Sequence, residues 1–375
     1  MSEIEGTTAD VIIVGGGLAG ASAAVVLGRQ GVRVTLVDQR SIYPSCFKAE
    51  KIEPDQADTL RRLGMLEVFT QRATRIREVL SVRDGRVFGA RNIEQYGMYY
   101  GEMVNAVRRS IPAAVDVLLG RVENITTSSD LQRVTLESGA VLTSQLVVLA
   151  TGTMSGPASQ LGLQREMVSK DHSMAFGFTI ARRDGRPFDF DALTYYPNGY
   201  STRISCLSLF PMGKTVRANL FVFRSAHDEW VREFVRQPHA QLDASLPKLS
   251  TFIGSFEIVS KVESGRIDLY RVQGHRRPGL ALVGDALQSV CPSTGTGLSK
   301  VFTDVEALCH DCVPAWLETP GMALEKIVKF YDHRRKRTVD THSLKSGIYG
   351  MHVATASSLR WRMAAALTYW QRWLT

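Results

Sequence analysis

Three glycines, Gly15, Gly17 and Gly20, stand in G-x-G-x-x-G register near the start of a chain of 375 residues. They follow an apolar run over 9–14, and a second run, 32–37, stops on Asp38, 18 residues past Gly20. This spacing suits a dinucleotide. Gly15 permits a tight turn after a strand, Gly17 admits a pyrophosphate where a Cβ would block it, and Gly20 lets the next helix pack closely on its sheet. The helix start, flanked by Val14, Leu18 and Ala19, turns unpaired N–H groups and a positive dipole end toward phosphate oxygens. Asp38, with Gln39 beside it, is placed to accept hydrogen bonds from ribose hydroxyls.

A second constellation lies far along the chain. The apolar run 280–283 ends on Gly284-Asp285 and is followed by Pro292-Ser-Thr-Gly295-Thr296-Gly297-Leu298. Gly-Asp alone is a common strand-end turn; with a Pro-to-Gly loop and a helix behind it, it offers another helix start to an anionic group. A third run, 145–150, ends on Thr151-Gly152. No nucleophile triad is evident, and no metal site is expected, because Cys309-His310-Asp-Cys312 lacks a second pair of ligands.

Elements must position these groups. Leu60, Leu63 and Leu66 predict a helix over 56–66, and alternation over 75–93 predicts two strands joined at Asp84-Gly85. A helix over 101–109, limited by Pro112, precedes strands at 116–119 and 131–136, and 145–150 has the look of a buried parallel strand. From 173 to 224, alternating stretches rich in Phe, Tyr and Thr indicate an antiparallel sheet. Helices are expected over 228–237, 240–251, from 297 to about 308, and from about 322 onward. The expected architecture is α/β: a Rossmann-like nucleotide domain assembled from 1–75, 95–172 and 270–320, an inserted antiparallel sheet from 76–94 and 173–269, and C-terminal helices over 321–375. The sheet would cover the cofactor face where a substrate sits. Tyr195, Tyr196, Tyr200, Arg203, Phe221 and Phe223 are its candidates, although aromatic residues at alternate strand positions more often fill core.

Net charge is +8, but the basic excess is dispersed, which argues against nucleic acid. One cluster, His333-Arg-Arg-Lys-Arg337, stands apart; it reads as the solvated face of a helix, with an anion or membrane contact as the alternative. Five cysteines and an acidic start, Met1 to Glu5, fit reduced thiols in a cytoplasmic protein with no signal peptide. Leu359, Met363, Leu367, Trp370 and Leu374 form one helical stripe flanked by arginines. It suits packing on the body or a partner protein, or peripheral contact with a bilayer.

The order of these motifs resembles the glutathione-reductase-type flavoproteins of the single-component aromatic hydroxylase kind, cousins of the flavin-dependent halogenases and geranylgeranyl reductases. The resemblance runs through nearly the whole chain. It is carried by the opening glycines with Asp38, by 146–155 with Leu161-Gly162, and by 282–286 with Pro292 and Gly297. It implies FAD, with Asp285 on the ribityl chain, the loop from Gly295 to Ser299 toward the flavin, and the backbone of Val122 at the adenine. Lys48 or Lys51 would stand near the pyrophosphate in place of the family's arginine, as a point charge without the guanidinium fork. The implied chemistry is hydroxylation of a small aromatic or electron-rich substrate by O₂ through a flavin C4a-hydroperoxide, with the protein orienting and excluding water. Pro292, Gly295, Thr296 and Lys48 are then the flavin-proximal candidates, and the route needs few acid–base side chains.

Several positions depart from the family. Thr151 replaces an aspartate, Ala158 and Tyr100 replace arginines, and Gln288 replaces a histidine. Charge-assisted bonds to a nicotinamide dinucleotide are thereby lost. The electron donor is left between NAD(P)H, free reduced flavin and a reductase partner. The W-x-W-x-I-P motif of tryptophan halogenases is absent. The alternatives to a hydroxylase are a flavin-dependent dehydrogenase or C=C reductase, a halogenase-like enzyme, or a flavoprotein modifying a partner protein in quinone-cofactor maturation.

Overall fold

The computed structural model describes residues 8–153, 156–198, 202–356 and 358–363. Two sheets organise it. In the first, Asp116–Leu119, Val34–Asp38, Thr8–Val14 and Val141–Leu149 lie side by side in parallel, and Leu280–Leu282 adds a further parallel strand beyond Leu146. The antiparallel strands Gln132–Leu136 and Val122–Thr126 extend it from the first half of Val141–Leu149. Residues 11–13 and 146–149 are buried on both faces, as helices on either side of a parallel sheet require. Helix Leu18–Arg29 covers one face, its small residues Ala21, Ala23 and Ala24 fully buried.

The second sheet runs Phe256–Ile258, Gln164–Arg182, Thr215–Val222, Ile204–Met212, Ala192–Tyr196, Thr74–Arg83, Arg86–Gly97 and Lys51–Ile52, with Glu263–Gln273 also paired to Gln164–Arg182. The hairpin at Asp84-Gly85 forms as its turn residues dictate, both with positive φ. One pairing departs from the expected antiparallel pattern: Ala192–Tyr196 joins Thr74–Arg83 in parallel. The boundaries also differ from those anticipated, since the sheet recruits Lys51–Ile52 and begins its long strand at Gln164. The chain thus passes from the first sheet to the second, back, across again and back once more. An apolar core of Phe176, Phe178, Leu193, Leu207 and Leu220 fills its outer face beneath helix Glu229–Arg236.

The helix expected to end near Leu308 continues instead. Gly297–Val305 passes into a π-helical stretch, Glu306–Cys312, and then Val313–Leu317. The π stretch places Glu306 between Arg62 (2.5 Å) and Arg335, an anchor with no sequence period to announce it. Cys309 and Cys312 are buried thiols, and no metal-ligating cluster exists among the described residues. The long helix Arg334–Thr355 closes the structure. Of the apolar C-terminal stripe, Leu359 and Met363 are largely exposed, and Leu367, Trp370 and Leu374 lie outside the described residues. No described helix is long and apolar enough to cross a membrane.

Candidate active site

A groove of about 370 Å³ opens at the carboxyl ends of the parallel strands, where a doubly wound sheet binds its ligand. Val14, Gly15, Gly17, Leu18, Ala19, Asp38, Gln39, Lys48, Val122, Thr151, Gly152, Gly284 and Asp285 all line it. These residues were expected together at a cofactor, and the fold brings them together.

Each glycine of the opening motif has a separate steric task. Gly15 has φ +104°, and a Cβ on it would lie 2.7 Å from the Ala150 carbonyl oxygen. A Cβ on Gly20 would sit 1.8 Å from the Gly15 carbonyl oxygen, so Gly20 packs beneath the turn and does not line the groove. Gly17 is different: the nearest atom to its Cβ would be in the Tyr43 ring, 3.9 Å away. That leaves open space over the turn.

Helix Leu18–Arg29 starts without a side-chain cap. The Leu18 N–H donates to the Tyr100 hydroxyl, and burial, with Tyr43 and Asp285 nearby, pushes that phenol well above its ordinary pKa. Tyr100 therefore stands at the start of this helix as a neutral group where the resembling family has an arginine.

Asp38 is held firmly. Its Oδ2 accepts the Gly16 N–H at 2.6 Å and its Oδ1 the Arg40 N–H at 2.8 Å. Arg108 Nη2 lies 3.1 Å from Oδ1, while its Nε donates to the Gly16 carbonyl at 2.7 Å and its Nη1 to Arg40 O at 2.6 Å. No motif or spacing marks Arg108 in advance. At the end of helix Tyr100–Arg109, beside Arg109, it has the position of a basic residue that merely complements the helix dipole.

At the other end, the Gly284 N–H donates to Asp304 Oδ2 at 2.7 Å. Asp304 belongs to a buried quartet: Lys300 and Lys336 each contact both Asp304 and Asp340 at 2.6–3.0 Å. Two positive and two negative groups cancel there, which is what permits their burial. Lys336 is one of the five residues expected on a solvated helix face; it is 1% exposed, because the start of Arg334–Thr355 turns it inward.

Other expectations need correction. Lys51 does not reach the groove; it pairs with Glu53 at 3.1 Å and lies over the Phe210 ring, because strand Lys51–Ile52 belongs to the second sheet. Gly295, Thr296, Gly297 and Leu298 also lie outside the groove lining. Leu298 is buried in core, and Gly295, left-handed at φ +70°, closes the Pro292–Thr294 turn. Gln56 Nε2 ties this loop down through the Gly295 carbonyl at 2.9 Å and Ser299 Oγ at 3.0 Å.

The aromatic candidates on the second sheet divide. Tyr195 is core on the outer face, its hydroxyl accepting the Gly85 N–H at 3.1 Å. Tyr196 packs on Phe88, Arg203 is half exposed beside Asp228, and Tyr200 lies outside the described residues. Phe223 meets His172 edge-on near Cys291. Phe221 shares the inner face with Cys206 and Ala175, its cross-strand neighbours. The next row on that face, Thr194, Ser208, Asn219 and Gly177, is largely polar, and Arg217 stands one row further. Arg217 is 2% exposed, clamped by Glu50 (2.8 Å) and Glu263 (2.5 Å) and flanked by the Phe47 and Tyr99 rings. Burial raises the Glu50 pKa, against the pull of Arg217 and Asn219. The Asn219 amide thus reaches Glu50, while its buried Oδ1 has no partner among the described residues.

A crevice at the strand ends, a firmly held acid at Asp38 and a glycine turn with open space at Gly17 are the features of a dinucleotide site. The residues fit FAD: the Gly17 space, the uncapped helix start and Asp285 occur in one continuous groove. Residues 8–112 match the FAD binding domain family, and residues 266–373 match the squalene epoxidase family. The 3-demethoxyubiquinol 3-hydroxylase of Escherichia coli (strain K12) is 24% identical over 361 residues, covering 90% of this chain and 88% of the relative. The 3-amino-4-hydroxybenzoate 2-monooxygenase PtnB3 of Streptomyces platensis is 25% identical over 336 residues, covering 84% and 82%. Among solved structures, p-nitrophenol 4-monooxygenase PnpA from Pseudomonas putida DLL-E4 superposes with a TM-score of 0.75 at 17% identity, covering 96% of this chain and 92% of that one. The chain thus carries an FAD binding domain and is similar over most of its length to hydroxylases and monooxygenases.

Proposed function

We propose that this protein hydroxylates a small aromatic or electron-rich compound held between the flavin end of the groove and the inner face of the second sheet. When bound, FAD supplies the oxygen-activating redox chemistry, with O₂ as co-substrate. The chain's own residues bind and orient. Gly15, Gly17 and the start of Leu18–Arg29 take the diphosphate, Asp38 the ribose and Asp285 the ribityl chain. Lys48, on the groove wall 5.5 Å above the Tyr100 ring, adds a positive charge.

One observation carries the substrate assignment: Asn219 offers a buried Oδ1 with no partner among the described residues on the inner sheet face. A buried acceptor without a donor costs about 1–3 kcal/mol, which a substrate hydroxyl or amino group would recover. Arg217 is already satisfied by two carboxylates and serves as a wall, so an anionic substrate is not favoured at that point.

The test is substrate-dependent O₂ uptake by the FAD-loaded protein with a panel of phenols and anilines, supplied in turn with NADH, NADPH and reduced flavin. Incorporation of label from ¹⁸O₂ is expected, and Asn219→Leu should raise KM at least about ten-fold with the flavin spectrum unchanged. Turnover that proceeds equally well without oxygen would establish a dehydrogenase or reductase instead.

A further inference from the structure

A second cleft, of about 240 Å³, lies between the end of strand Glu263–Gln273, the residues after Gly284–Ala286, and the start of helix Arg334–Thr355. Arg271, Arg276, Arg337 and His275 line it, and its one carboxylate, Asp340, is turned to Lys300 and Lys336. Arg276 is neutralised by Asp332 at 2.8 Å. Arg271 and Arg337 are not: Arg271 Nε donates to the neutral Gln288 amide at 2.9 Å, and neither guanidinium pairs with a carboxylate among the described residues. The wall also carries Thr341 and the Tyr331 ring, whose buried hydroxyl accepts the Leu282 N–H at 2.9 Å. Two guanidinium forks without a salt-bridged carboxylate line one concavity, Asp332 acting on Arg337 only at longer range, and each fork can bind a tetrahedral oxyanion through two N–H groups.

We infer that this cleft binds a phosphate group, free or borne by a nucleotide, between Arg271 and Arg337. The site connects to the flavin turn. Gln288, which holds Arg271, donates its backbone N–H to the Gly284 carbonyl at 3.3 Å and its side-chain N–H to the Asp340 carbonyl at 2.9 Å. An anion drawing on Arg271 is therefore felt two hydrogen bonds from the turn that carries Asp285.

The experiment uses FAD-loaded protein, so that the first groove is filled, and isothermal titration calorimetry at low salt. Inorganic pyrophosphate is titrated in one arm and adenosine 2′,5′-bisphosphate in the other. One saturable site is expected, weakened at least about ten-fold by Arg337→Gln and by Arg271→Gln, and unchanged by Arg334→Gln, whose side chain lies on the same helix outside the cleft. Tighter binding of the nucleotide identifies a nucleotide phosphate, and equal or weaker binding identifies free phosphate. No saturable heat, or equal weakening by Arg334→Gln, overturns the site and leaves only general surface charge. If Arg271→Gln fails to fold, Arg337→Gln, on an exposed position, decides alone.

Discussion

Arg108 reaches Asp38 across 3.1 Å from a helix that carries no part of the glycine motif, and the same guanidinium bonds the Gly16 carbonyl. Side chain and turn are thereby locked to each other. Arg108→Gln is expected to fold and to weaken FAD binding by about 10–100-fold, the worth of one or two charge-assisted bonds. Arg108→Lys should recover little, because an ammonium cannot meet Asp38, Gly16 and Arg40 at once. Titration of apoprotein with FAD, followed by flavin fluorescence, measures both.

Lys48 and Lys51 are three residues apart and have unlike surroundings. Lys48→Ala should weaken FAD binding by roughly three- to ten-fold, with the loss shrinking at high salt, since the contact is a screened point charge. Lys51→Ala should leave affinity within about two-fold, because its partner is Glu53. Paired titrations at low and high ionic strength separate them.

The glycines should respond in different measurements. Gly20→Ala places a methyl carbon 1.8 Å from a carbonyl oxygen, so a stability loss of more than about 3 kcal/mol is expected even without cofactor. Gly17→Ala should leave the thermal unfolding of the apoprotein nearly unchanged and impair only FAD affinity. Similar melting losses in the two apoproteins would contradict these assignments.

Acid should act in two stages. Burial, aided by His352, lowers the His172 pKa to about 4. Between pH 6.5 and 4 the unfolded chain takes up a proton that the folded protein refuses, so stability falls as pH drops through that window. Asp340, held down to about 2 chiefly by Lys300 and Lys336 against the opposing effect of its burial, adds stability that is present above its ordinary pKa near 4 and lost toward pH 2. His172→Gln should weaken the first stage, to which His275, also lowered by burial, contributes, and keep the second, as read from urea midpoints across pH.

The nucleotide half was legible because its signals are local. Gly15, Gly17 and Gly20 must occupy neighbouring turns, and buried strands such as 146–149 show as unbroken apolar runs. What escaped depends on distant partners. Arg108 is indistinguishable in sequence from any helix-ending arginine, and the inward turn of Lys336 depends on Asp304 and Asp340 waiting for it. Lys51 was misplaced for the same reason: its strand pairs with Tyr96 and Gly97, which no short-range pattern reveals. Asn219 gave no signal, because an amide on a strand reads as ordinary surface until its neighbours bury it.

The path of the chain between its two sheets has a consequence for engineering and inheritance. No single cut releases the second sheet intact, since its strands come from two stretches, each interposed between pieces of the other. Specificity in this scaffold is therefore open to retuning by point replacement along the inner face, and closed to wholesale exchange of a cassette.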